Sequence, residues 1–129
     1  MNRVKNRVFS GAIWEKQVAY CRAIKLGDFV LVSGTTSVDE NSTIVGETMY
    51  EQAIFIFKKI EKALEEFDLG LCNVVRTRMF VTNIDDFDDL ARAHKEIFSE
   101  TPPVATCVEV SRFVDEKLLV EIEVDAYEG

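Results

Sequence analysis

The sequence predicts an α+β domain with the element order β-β-β-α-β-α-β-β and with both helices packed on one face of a β-sheet. Apolar residues recur at helical spacing in two segments, Thr48–Phe67 and Asp86–Phe98. Apolar and polar residues instead alternate over Thr101–Val110 and Leu119–Ala126, which is the pattern of half-buried strands. Because no linker, repeat or low-complexity tract interrupts the 129 residues, we expect a single domain over residues 1–129.

The N-terminal part of the chain predicts two strands. Asn2–Phe9 is expected to be a short strand, followed by an irregular segment, Ser10–Lys16, that carries the only tryptophan, Trp14. Val18–Leu26 is expected to be the second strand, closed by a turn at Gly27. Trp14 could be an anchor in the core or in an interface, or a lid over a cleft, and the sequence does not choose among these roles.

The third predicted strand, Phe29–Ser33, differs from the others because Phe29–Val32 is apolar on both alternating faces. A strand of this kind is normally covered on both sides of the sheet. One small domain has few elements with which to cover both faces. The pattern therefore predicts contact with another subunit.

The clearest helix is predicted over Thr48–Phe67. Its apolar residues form one stripe, which consists of Tyr50, Ala53, Ile54, Phe57, Ile60, Leu64 and Phe67. Phe55 falls outside this stripe, and an exposed aromatic residue of this kind usually has no role and less often contacts a partner. Gly70 follows the helix and suits a left-handed C-cap.

A fourth strand, Val74–Val81, is predicted to carry Arg76 and Arg78 on one face, and the second helix, Asp86–Phe98, follows it. The predicted apolar face of that helix consists of Phe87, Leu90, Ala91, His94, Ile97 and Phe98. Thr101–Pro103 ends the helix and leads into the next strand.

The last two predicted strands each bury an apolar face and present polar residues on the other. Their connection, Ser111–Lys117, is polar and lacks helical periodicity, so the pair could form a hairpin with a long loop. Glu121, Glu123 and Asp125 share one face of the final strand. Such a row of acids is most often a solvated face, and catalysis is the less frequent alternative.

Composition and charge limit the classes of function. The chain is 47% apolar and 29% charged, as in a globular protein, and its net charge of −8 disfavours nucleic-acid binding. No apolar run approaches the length of a membrane helix and no signal peptide is visible, so no membrane role and a cytoplasmic location are expected. Cys21, Cys72 and Cys107 are an odd, widely spaced set, which predicts reduced thiols and no zinc site.

Three segments together resemble a known family. They are Gly27–Gly34, Arg78–Phe87 and Pro103–Ala126, with the strings Cys107-Val108-Glu109-Val110 and Glu121-Ile122-Glu123 in the last of them. In this order and spacing the chain resembles the reactive-intermediate deaminase family, also called YjgF/RidA, along nearly its whole length.

The resemblance implies a chorismate-mutase-like fold with a mixed β-sheet, and a homotrimer with three small-molecule clefts between subunits. Active members of the family hydrolyse small imines or enamines to a keto acid and ammonia, and no metal or organic cofactor takes part. By position, the resemblance implies that Tyr20 corresponds to a tyrosine in the cleft. It also implies that the backbone of Ser33 and Gly34 forms one wall of the cleft. Cys107 is expected on the cleft face, and Glu121 matches a carboxylate that orients the attacking water.

The chain departs from the family pattern at Ala105, where active deaminases carry an arginine that grips the substrate carboxylate. Because each hydrogen bond to a charged group contributes about 1.5 to 3 kcal/mol, losing a two-pronged clamp should weaken transition-state binding roughly tenfold to more than a hundredfold. Ala91 also stands where an asparagine is often found, and His94 where an aromatic residue is common.

The remaining candidates each have a structural interpretation. Arg76 and Arg78 could neutralise the acids of the last strand, although one of them, or Arg22, could instead replace the missing clamp. His94 is expected to be a hydrogen-bonded core histidine before a general base. Cys107 is expected to be a small buried hydrophobe before a ligand-contacting thiol.

Three hypotheses about function follow. The first is a cleft-binding trimer that lacks the arginine clamp and handles another small substrate or ligand. The second is an imine deaminase in which another arginine supplies the clamp. The third is a non-enzymatic regulator or holdase that uses the trimer surface, with Phe55 as a possible contact.

Overall fold

The computed structural model describes residues 2–129 and contains three α-helices and seven strands within that range. The helices are Ile13–Val18 (α1), Met49–Glu65 (α2) and Phe87–Phe98 (α3). The strands are Asn2–Val4 (β1), Arg7–Phe9 (β2), Ala23–Leu26 (β3), Phe29–Thr36 (β4), Val74–Val81 (β5), Val104–Glu109 (β6) and Val120–Tyr127 (β7).

The strands form one sheet in the order β1-β2-β3-β4-β7-β5-β6. All neighbours are antiparallel except β5 and β6, which pair in parallel through the crossover that contains α3. The sheet is therefore mixed, and the α+β class predicted from the sequence is confirmed.

The N-terminal segments differ from the prediction. Asn2–Phe9 is a hairpin of two strands, because the backbone turns at Lys5, whose φ is +56°. Ser10–Lys16 is not wholly irregular, since α1 begins at Ile13. The predicted strand Val18–Leu26 starts only at Ala23, after a left-handed residue at Ala19 ends α1. Short segments of this kind have too few turns for a periodicity to show.

β4 extends three residues beyond the predicted Ser33 and contains an irregularity between Val32 and Thr35. Val30 and Val32 are buried beneath the helices, whereas Phe29 and Leu31 are 48% and 37% exposed on the other face. The second apolar face of this strand is thus uncovered within one chain.

α2 begins with a capping box, in which Thr48 Oγ1 accepts from the Glu51 amide at 3.1 Å and Glu51 Oε1 accepts from the Thr48 amide at 3.2 Å. Phe55 is half-buried, so its predicted exposure was wrong. The predicted cap at Gly70 was also wrong, because Asp68 takes the left-handed conformation with φ +59°. The buried face is wider than the predicted stripe and adds Met49, Gln52, Ile56 and Ala63.

α3 starts one residue later than predicted, after a turn of 3-10 helix at Ile84–Asp86. Leu90, Ala93 and Phe98 are its buried residues, whereas Phe87, which was assigned to the apolar face, is 40% exposed. The helix packs against α2 on the same side of the sheet.

The last two predicted strands are not a hairpin. β7 lies between β4 and β5, and β6 pairs only with β5, so one strand separates β6 from β7. The apolar face expected for β6 is also exposed, since Val104 and Val108 are 56% and 44% accessible. The sequence could not show which strand lies beside β6, because strand neighbours are set by pairing between residues that are distant in the chain.

The core lies between the helices and one face of the sheet. Ile56, Phe57 and Ile60 of α2 are fully buried against strand residues such as Val81 and Ile122. The opposite face, called the open face below, carries the side chains that alternate with these on β4, β5, β6 and β7. In the part of the chain that the structure describes, no helix is both long and apolar enough to cross a membrane.

Candidate functional site

A groove of about 1240 Å³ lies between α1, α2, the end of β4 and the loop that precedes β7. Its inner wall contains Tyr20, Arg22, Gly34, Lys59 and Glu121. Three of the predicted site residues, Tyr20, Gly34 and Glu121, are therefore brought together. A smaller concavity of about 690 Å³ beside α1 contains none of the predicted site residues.

Glu121 lies directly against the backbone of Gly34. A Cβ atom placed on Gly34 would be 2.7 Å from Glu121 Oε2, which is closer than real contacts allow. The approach follows from the pairing of β4 with β7, which sets Thr36 opposite Glu121 just beyond the irregularity in β4. The absence of a side chain at Gly34 thus leaves room for the Glu121 carboxyl in this position.

The Glu121 carboxyl is half-buried and accepts no hydrogen bond from any residue that the structure describes. Burial raises the pKa of this carboxyl, and the neighbouring charge of Glu123 adds to the increase, while the Arg22 guanidinium opposes it. A carboxylate with a raised pKa and free lone pairs can accept a proton from a water molecule in the groove.

Arg22 fixes the wall opposite this carboxylate. Its Nε lies 3.2 Å from Glu15 Oε2, and its Nη1 donates to Gly34 O at 2.8 Å and to Thr35 Oγ1 at 3.0 Å. Nη2 lies 3.4 Å from the Tyr20 hydroxyl. Arg22 and Glu15 are both buried, so this is a charge-paired network inside the protein and not a surface contact.

Lys59 reaches the same wall from α2. Its ammonium donates to Thr36 O at 2.7 Å. Burial and the nearby Arg22 lower the pKa of Lys59 to about 8, although Glu15 and Asp39 act in the opposite direction.

Ser33 stands beside this wall but turns its side chain away. Its hydroxyl donates to Cys21 O at 2.7 Å, which links β4 to the segment before β3. Only its backbone carbonyl is shared with the network, through a 2.8 Å bond from Thr35 Oγ1.

Arg76 and Arg78 lie on the open face and not in the groove. Arg76 Nε is 3.6 Å from Asp125 Oδ2, while Arg78 Nη1 is 3.5 Å from Glu123 Oε1 and 3.7 Å from Asp125 Oδ2. The predicted neutralisation of the acids across the sheet is therefore observed. Of the three arginines considered as clamps, only Arg22 reaches the groove, and it pairs with Glu15.

His94 is half-buried on α3, with its ring against Phe57 and Phe98, and is absent from the groove. Its Nε2 is 2.9 Å from Thr77 Oγ1, and its ring centroid is 4.7 Å from that of Phe98 and 6.1 Å from that of Phe57. Burial lowers its pKa. These are the surroundings of a hydrogen-bonded core histidine.

Ala105 and Cys107 lie on β6, opposite Thr77 and Met79 of β5. Ala105 is exposed at the sheet edge, and Cys107 is half-buried against the core. Burial raises the pKa of the Cys107 thiol, which favours its neutral form. Within one chain the predicted site residues thus fall into two groups, the groove group and an edge group of His94, Ala105 and Cys107.

Sequence reasoning missed several groove residues. Lys59 stands on the polar side of the α2 pattern, where neither periodicity nor charge marks it, and Phe55 was singled out only as an exposed aromatic residue. The pairing of Glu15 with Arg22 could not be predicted, because seven residue positions and an irregular segment separate them in the sequence. Trp14 lines the groove and is 53% exposed, which fits the rim or lid role better than a core role. No group of three or more His, Cys, Asp or Glu side chains among the described residues is arranged to hold a metal ion.

Comparison with known proteins gives matches along nearly the whole chain. Residues 12–128 match the sequence model of the family described as endoribonuclease L-PSP. An uncharacterised protein of Streptomyces coelicolor is 41% identical over 124 residues, which cover 95% of this chain and 92% of that protein. A 2-iminobutanoate/2-iminopropanoate deaminase of Salmonella typhimurium is 30% identical over 110 residues, 83% of this chain and 84% of the deaminase.

Solved structures show the same fold. A member of the highly conserved YjgF/YER057c/UK114 family from Mycobacterium tuberculosis superposes with a TM-score of 0.86 at 37% identity, covering 94% of this chain and 97% of the other. RidA from an Antarctic Psychrobacter superposes with a TM-score of 0.79 at 25% identity, covering 97% and 96%. The fold is therefore that of the YjgF/RidA structures.

Proposed function

The chain belongs to the endoribonuclease L-PSP family, also called YjgF/RidA, and from this membership we propose that it binds a small metabolite in clefts between the subunits of a homotrimer and hydrolyses a small imine or enamine. The single observation that carries the proposal is the Glu121 carboxyl, held 2.7 Å from where a Gly34 Cβ would stand. A carboxyl that is half-buried, free of hydrogen bonds from the described residues and set in a groove is poised to direct a water molecule.

The reaction needs little more than this. A protonated imine is electrophilic, so the oxygen of a water molecule bonds to its carbon while Glu121 accepts the proton of that water. Glu121 then returns that proton to the nitrogen of the carbinolamine, and the C–N bond breaks as the hydroxyl gives its own proton back to Glu121, which yields a carbonyl compound and ammonia. Position, a directed water and proton transfer account for the catalysis.

The homotrimer is supported by the open face. Phe29, Leu31, Val104 and Val108 are large apolar residues left between 37% and 56% exposed on it. A soluble monomer rarely leaves so many together on one face. We infer that neighbouring subunits cover this face and that the groove group of one subunit meets the edge group of the next, so that each cleft is completed by two chains.

Ala105 distinguishes this chain from the active deaminases that it resembles. A methyl group at an exposed edge position supplies no hydrogen bond to a substrate carboxylate. The groove therefore has to bind its substrate by other groups, or to take a substrate that has no carboxylate.

The test is release of keto acid from 2-iminopropionate generated in situ by an amino-acid oxidase. The protein and its Ala105→Arg and Glu121→Gln variants are compared at equal concentration. We expect the unaltered protein and Ala105→Arg to release keto acid. The rate of release should be roughly a hundredfold or more lower for Glu121→Gln, because the attacking water then has no proton acceptor. Equal release by Glu121→Gln and by the unaltered protein would overturn the assignment of Glu121.

The outcome for Ala105→Arg separates the first two hypotheses. Release by the unaltered protein means that another residue holds the carboxylate. Release only by Ala105→Arg means that the water-handling site is intact and that the natural substrate has no carboxylate. Of the three candidate arginines, only Arg22 lies where it could serve as the clamp, since Arg76 and Arg78 are engaged on the open face.

A role as a regulator or holdase and a role as an endoribonuclease both have less support. Phe55 lines the groove and is half-buried, so the exposed contact that motivated a regulator or holdase is not present. The family description names an endoribonuclease, but a net charge of −8 disfavours binding to an RNA backbone.

A further inference from the structure

The irregularity in β4 changes which groups hold the backbone of that strand. Between Val32 and Thr35, β4 has two residues, Ser33 and Gly34, where β7 has only one. A bulge of this kind interrupts the ladder of backbone hydrogen bonds, and such bulges are frequent beside active sites. Half-buried carbonyl groups at the bulge then need donors from elsewhere. Side chains supply them here, since Thr35 Oγ1 donates to Ser33 O and Arg22 Nη1 donates to Gly34 O.

Arg22 directs nearly all of its donors at the protein itself. Its Nη1 donates to Gly34 O at 2.8 Å and to Thr35 Oγ1 at 3.0 Å. Its Nε is 3.2 Å from Glu15 Oε2, and its Nη2 is 3.4 Å from the Tyr20 hydroxyl. Four of the five N–H groups of the guanidinium thus have acceptors in the chain, and the side chain is only 8% exposed. An arginine engaged in this way holds the wall of the groove and is not free to grip a substrate carboxylate.

Gly34 connects this network to Glu121. The Gly34 carbonyl is held by Arg22, while a Cβ atom on the same residue would stand 2.7 Å from Glu121 Oε2. The Glu121 carboxyl accepts no hydrogen bond from the described residues, so its position depends on contact with that backbone. A shift of the Gly34 peptide would therefore displace the carboxyl or leave it free to turn.

We propose that Arg22 is a positioning residue for the hydrolysis: with Glu15 as its counterion, it holds the bulge of β4 so that the Gly34 backbone keeps the Glu121 carboxyl directed at the attacking water. The inference rests on the proposed function, because it adds a residue to the same site. Arg22 acts through Gly34 and does not contact the substrate.

The forked shape of the guanidinium is what this role requires. Its nitrogens point in fixed directions and reach Glu15, Gly34 O and Tyr20 at the same time. A lysine ammonium is a compact point charge and would reach only part of this set. A residue that served only to place positive charge beside the groove would not need the fork, so Arg22→Lys separates the two roles.

Glu15 extends the network to the rim of the groove. It is the buried residue of α1, the helix that carries Trp14 to that rim. One chain of contacts thus runs from α1 through Glu15, Arg22 and Gly34 to Glu121. The ion pair that joins α1 to the sheet therefore also holds the water-directing carboxyl.

Hydrolysis rates test the positioning role. The double variant Glu15→Gln/Arg22→Met removes both charges together, so neither is left buried and unpaired. With 2-iminopropionate generated in situ at several concentrations, kcat per folded protein should fall roughly tenfold to a hundredfold, because the carboxyl is misplaced. KM should stay within about threefold, since Arg22 does not contact the substrate. If only Ala105→Arg releases keto acid, the same comparison is made in that background.

Lys25→Met/Glu128→Gln is the matched control. Lys25 lies on β3, the strand that follows Arg22, and its Nζ is 2.9 Å from Glu128 Oε2. Neither residue lines the groove. The control removes an ion pair from the neighbouring part of the sheet, and kcat and KM should both stay within about twofold of the unaltered values.

Arg22→Lys keeps a cation beside Glu15, so it tests the role where the double variant fails to fold. We expect kcat to stay roughly tenfold or more below that of the unaltered protein, because an ammonium cannot hold both Glu15 and the Gly34 carbonyl. Activity equal to that of the unaltered protein would show that positive charge alone is needed, and would overturn the proposal.

The titration of Glu121 gives a readout that needs no turnover. Burial raises the pKa of this carboxyl in the unaltered protein. Arg22→Lys retains the positive charge, so a carboxyl that leaves Gly34 and meets water should titrate with a pKa closer to its ordinary value. Carbon-13 NMR of glutamate-labelled protein measures the midpoint, with Glu121→Gln for assignment. The other charged groups around it are unchanged, namely Glu123 on β7, Asp39 after β4, Lys59 on α2, and Arg112 and Asp115 in the loop before β7.

The contrary results are distinct. A normal kcat in Glu15→Gln/Arg22→Met, or an unchanged midpoint of Glu121 in Arg22→Lys, would overturn the positioning role. A raised KM with an unchanged kcat would also overturn it, because Arg22 would then bind the substrate. The proposed function fails separately: if neither the unaltered protein nor Ala105→Arg releases keto acid, the deaminase assignment falls, and the titration of Glu121 decides whether Arg22 holds the carboxyl.

Discussion

At the residue scale, the site depends on the contact between Gly34 and Glu121. The glycine has an ordinary backbone conformation, so its role is to leave room for a carboxyl that stands against its Cα. The same closeness removes water from Glu121 and raises its pKa. One contact therefore sets both the position and the protonation of the proposed water-directing group.

Gly34→Ala should separate activity from stability. The added methyl group meets only the flexible end of Glu121, so the free energy of unfolding should fall by less than about 1 kcal/mol. The displaced carboxyl should lower imine hydrolysis roughly a hundredfold, because a misplacement of about 1 Å costs that much. Rates and urea unfolding curves are the measurements. Gly70→Ala is the control, since nothing lies within 4 Å of its Cβ position, and it should leave both unchanged.

The raised pKa of Glu121 also predicts how stability depends on pH. A carboxyl with a folded-state pKa above its unfolded value contributes stability that is fully present below about pH 4.5 and is lost as the pH rises through the folded pKa. Glu121→Gln removes this loss. Its free energy of unfolding relative to the unaltered protein should therefore increase as the pH rises above about 4.5.

Urea unfolding at several pH values measures that difference. Glu65→Gln serves as the control, because it removes an exposed carboxylate at the end of α2, away from Glu121. A stability difference between Glu121→Gln and the unaltered protein that stays constant as the pH rises above about 4.5 would contradict the prediction.

At the element scale, α1 is too short to hold itself in place and depends on one buried ion pair. Its six residues expose Ile13, Trp14 and Val18, and Glu15 is its only buried residue. Glu15 also accepts hydrogen bonds from the amide and the hydroxyl of Ser10. The helix that carries Trp14 to the rim of the groove is thus joined to the sheet through Glu15 and Arg22.

Glu15→Ala should be strongly destabilising because it leaves the buried Arg22 guanidinium without a counterion. A loss of about 3 to 5 kcal/mol in the free energy of unfolding is expected. The double variant Glu15→Ala/Arg22→Met should lose less free energy of unfolding than Glu15→Ala alone, because it contains no unpaired guanidinium. Urea unfolding of the two single variants and the double variant measures this. Additive losses in the double variant would show that the pair is not coupled.

At the scale of the whole molecule, one face of the sheet is covered by helices and the other is not. The open face combines exposed apolar residues with the ion pairs of Arg76 and Arg78. An assembly that covers it would remove those ion pairs from water and would strengthen them relative to the exposed pairs in one chain.

Leu31→Asp should disrupt the proposed homotrimer, because it replaces an exposed apolar residue of that face by a carboxylate directly opposite Asp125. The unaltered protein should have a solution mass of three times 14.7 kDa, and the variant should shift toward one chain mass. Light scattering coupled to size-exclusion chromatography measures both. Ile84→Asp, at a site that is 41% exposed in the turn before α3 and outside the groove, is the control and should keep the mass of the unaltered protein.

The sequence by itself determined the elements whose pattern is local. α2, α3 and β5 repeat their periodicity over enough residues to be located, and β5 was placed at its observed bounds. The α+β class and the family followed from these elements and from the strings around Cys107 and Glu121. Short segments such as α1 and the β1-β2 hairpin were misplaced, because two turns of helix or three residues of strand carry no resolvable period.

Only the tertiary structure decided which distant residues meet. The insertion of β7 between β4 and β5 sets Glu121 beside Gly34, while Glu123 and Asp125, farther along the same face of β7, pair with Arg78 and Arg76. Packing of α2 on the sheet then brings Lys59 beside Arg22, although 36 residues lie between them in the sequence. Pairing and packing across such separations depend on the burial of whole faces, which no local pattern encodes, so the fold was predictable and the cation in the groove was not.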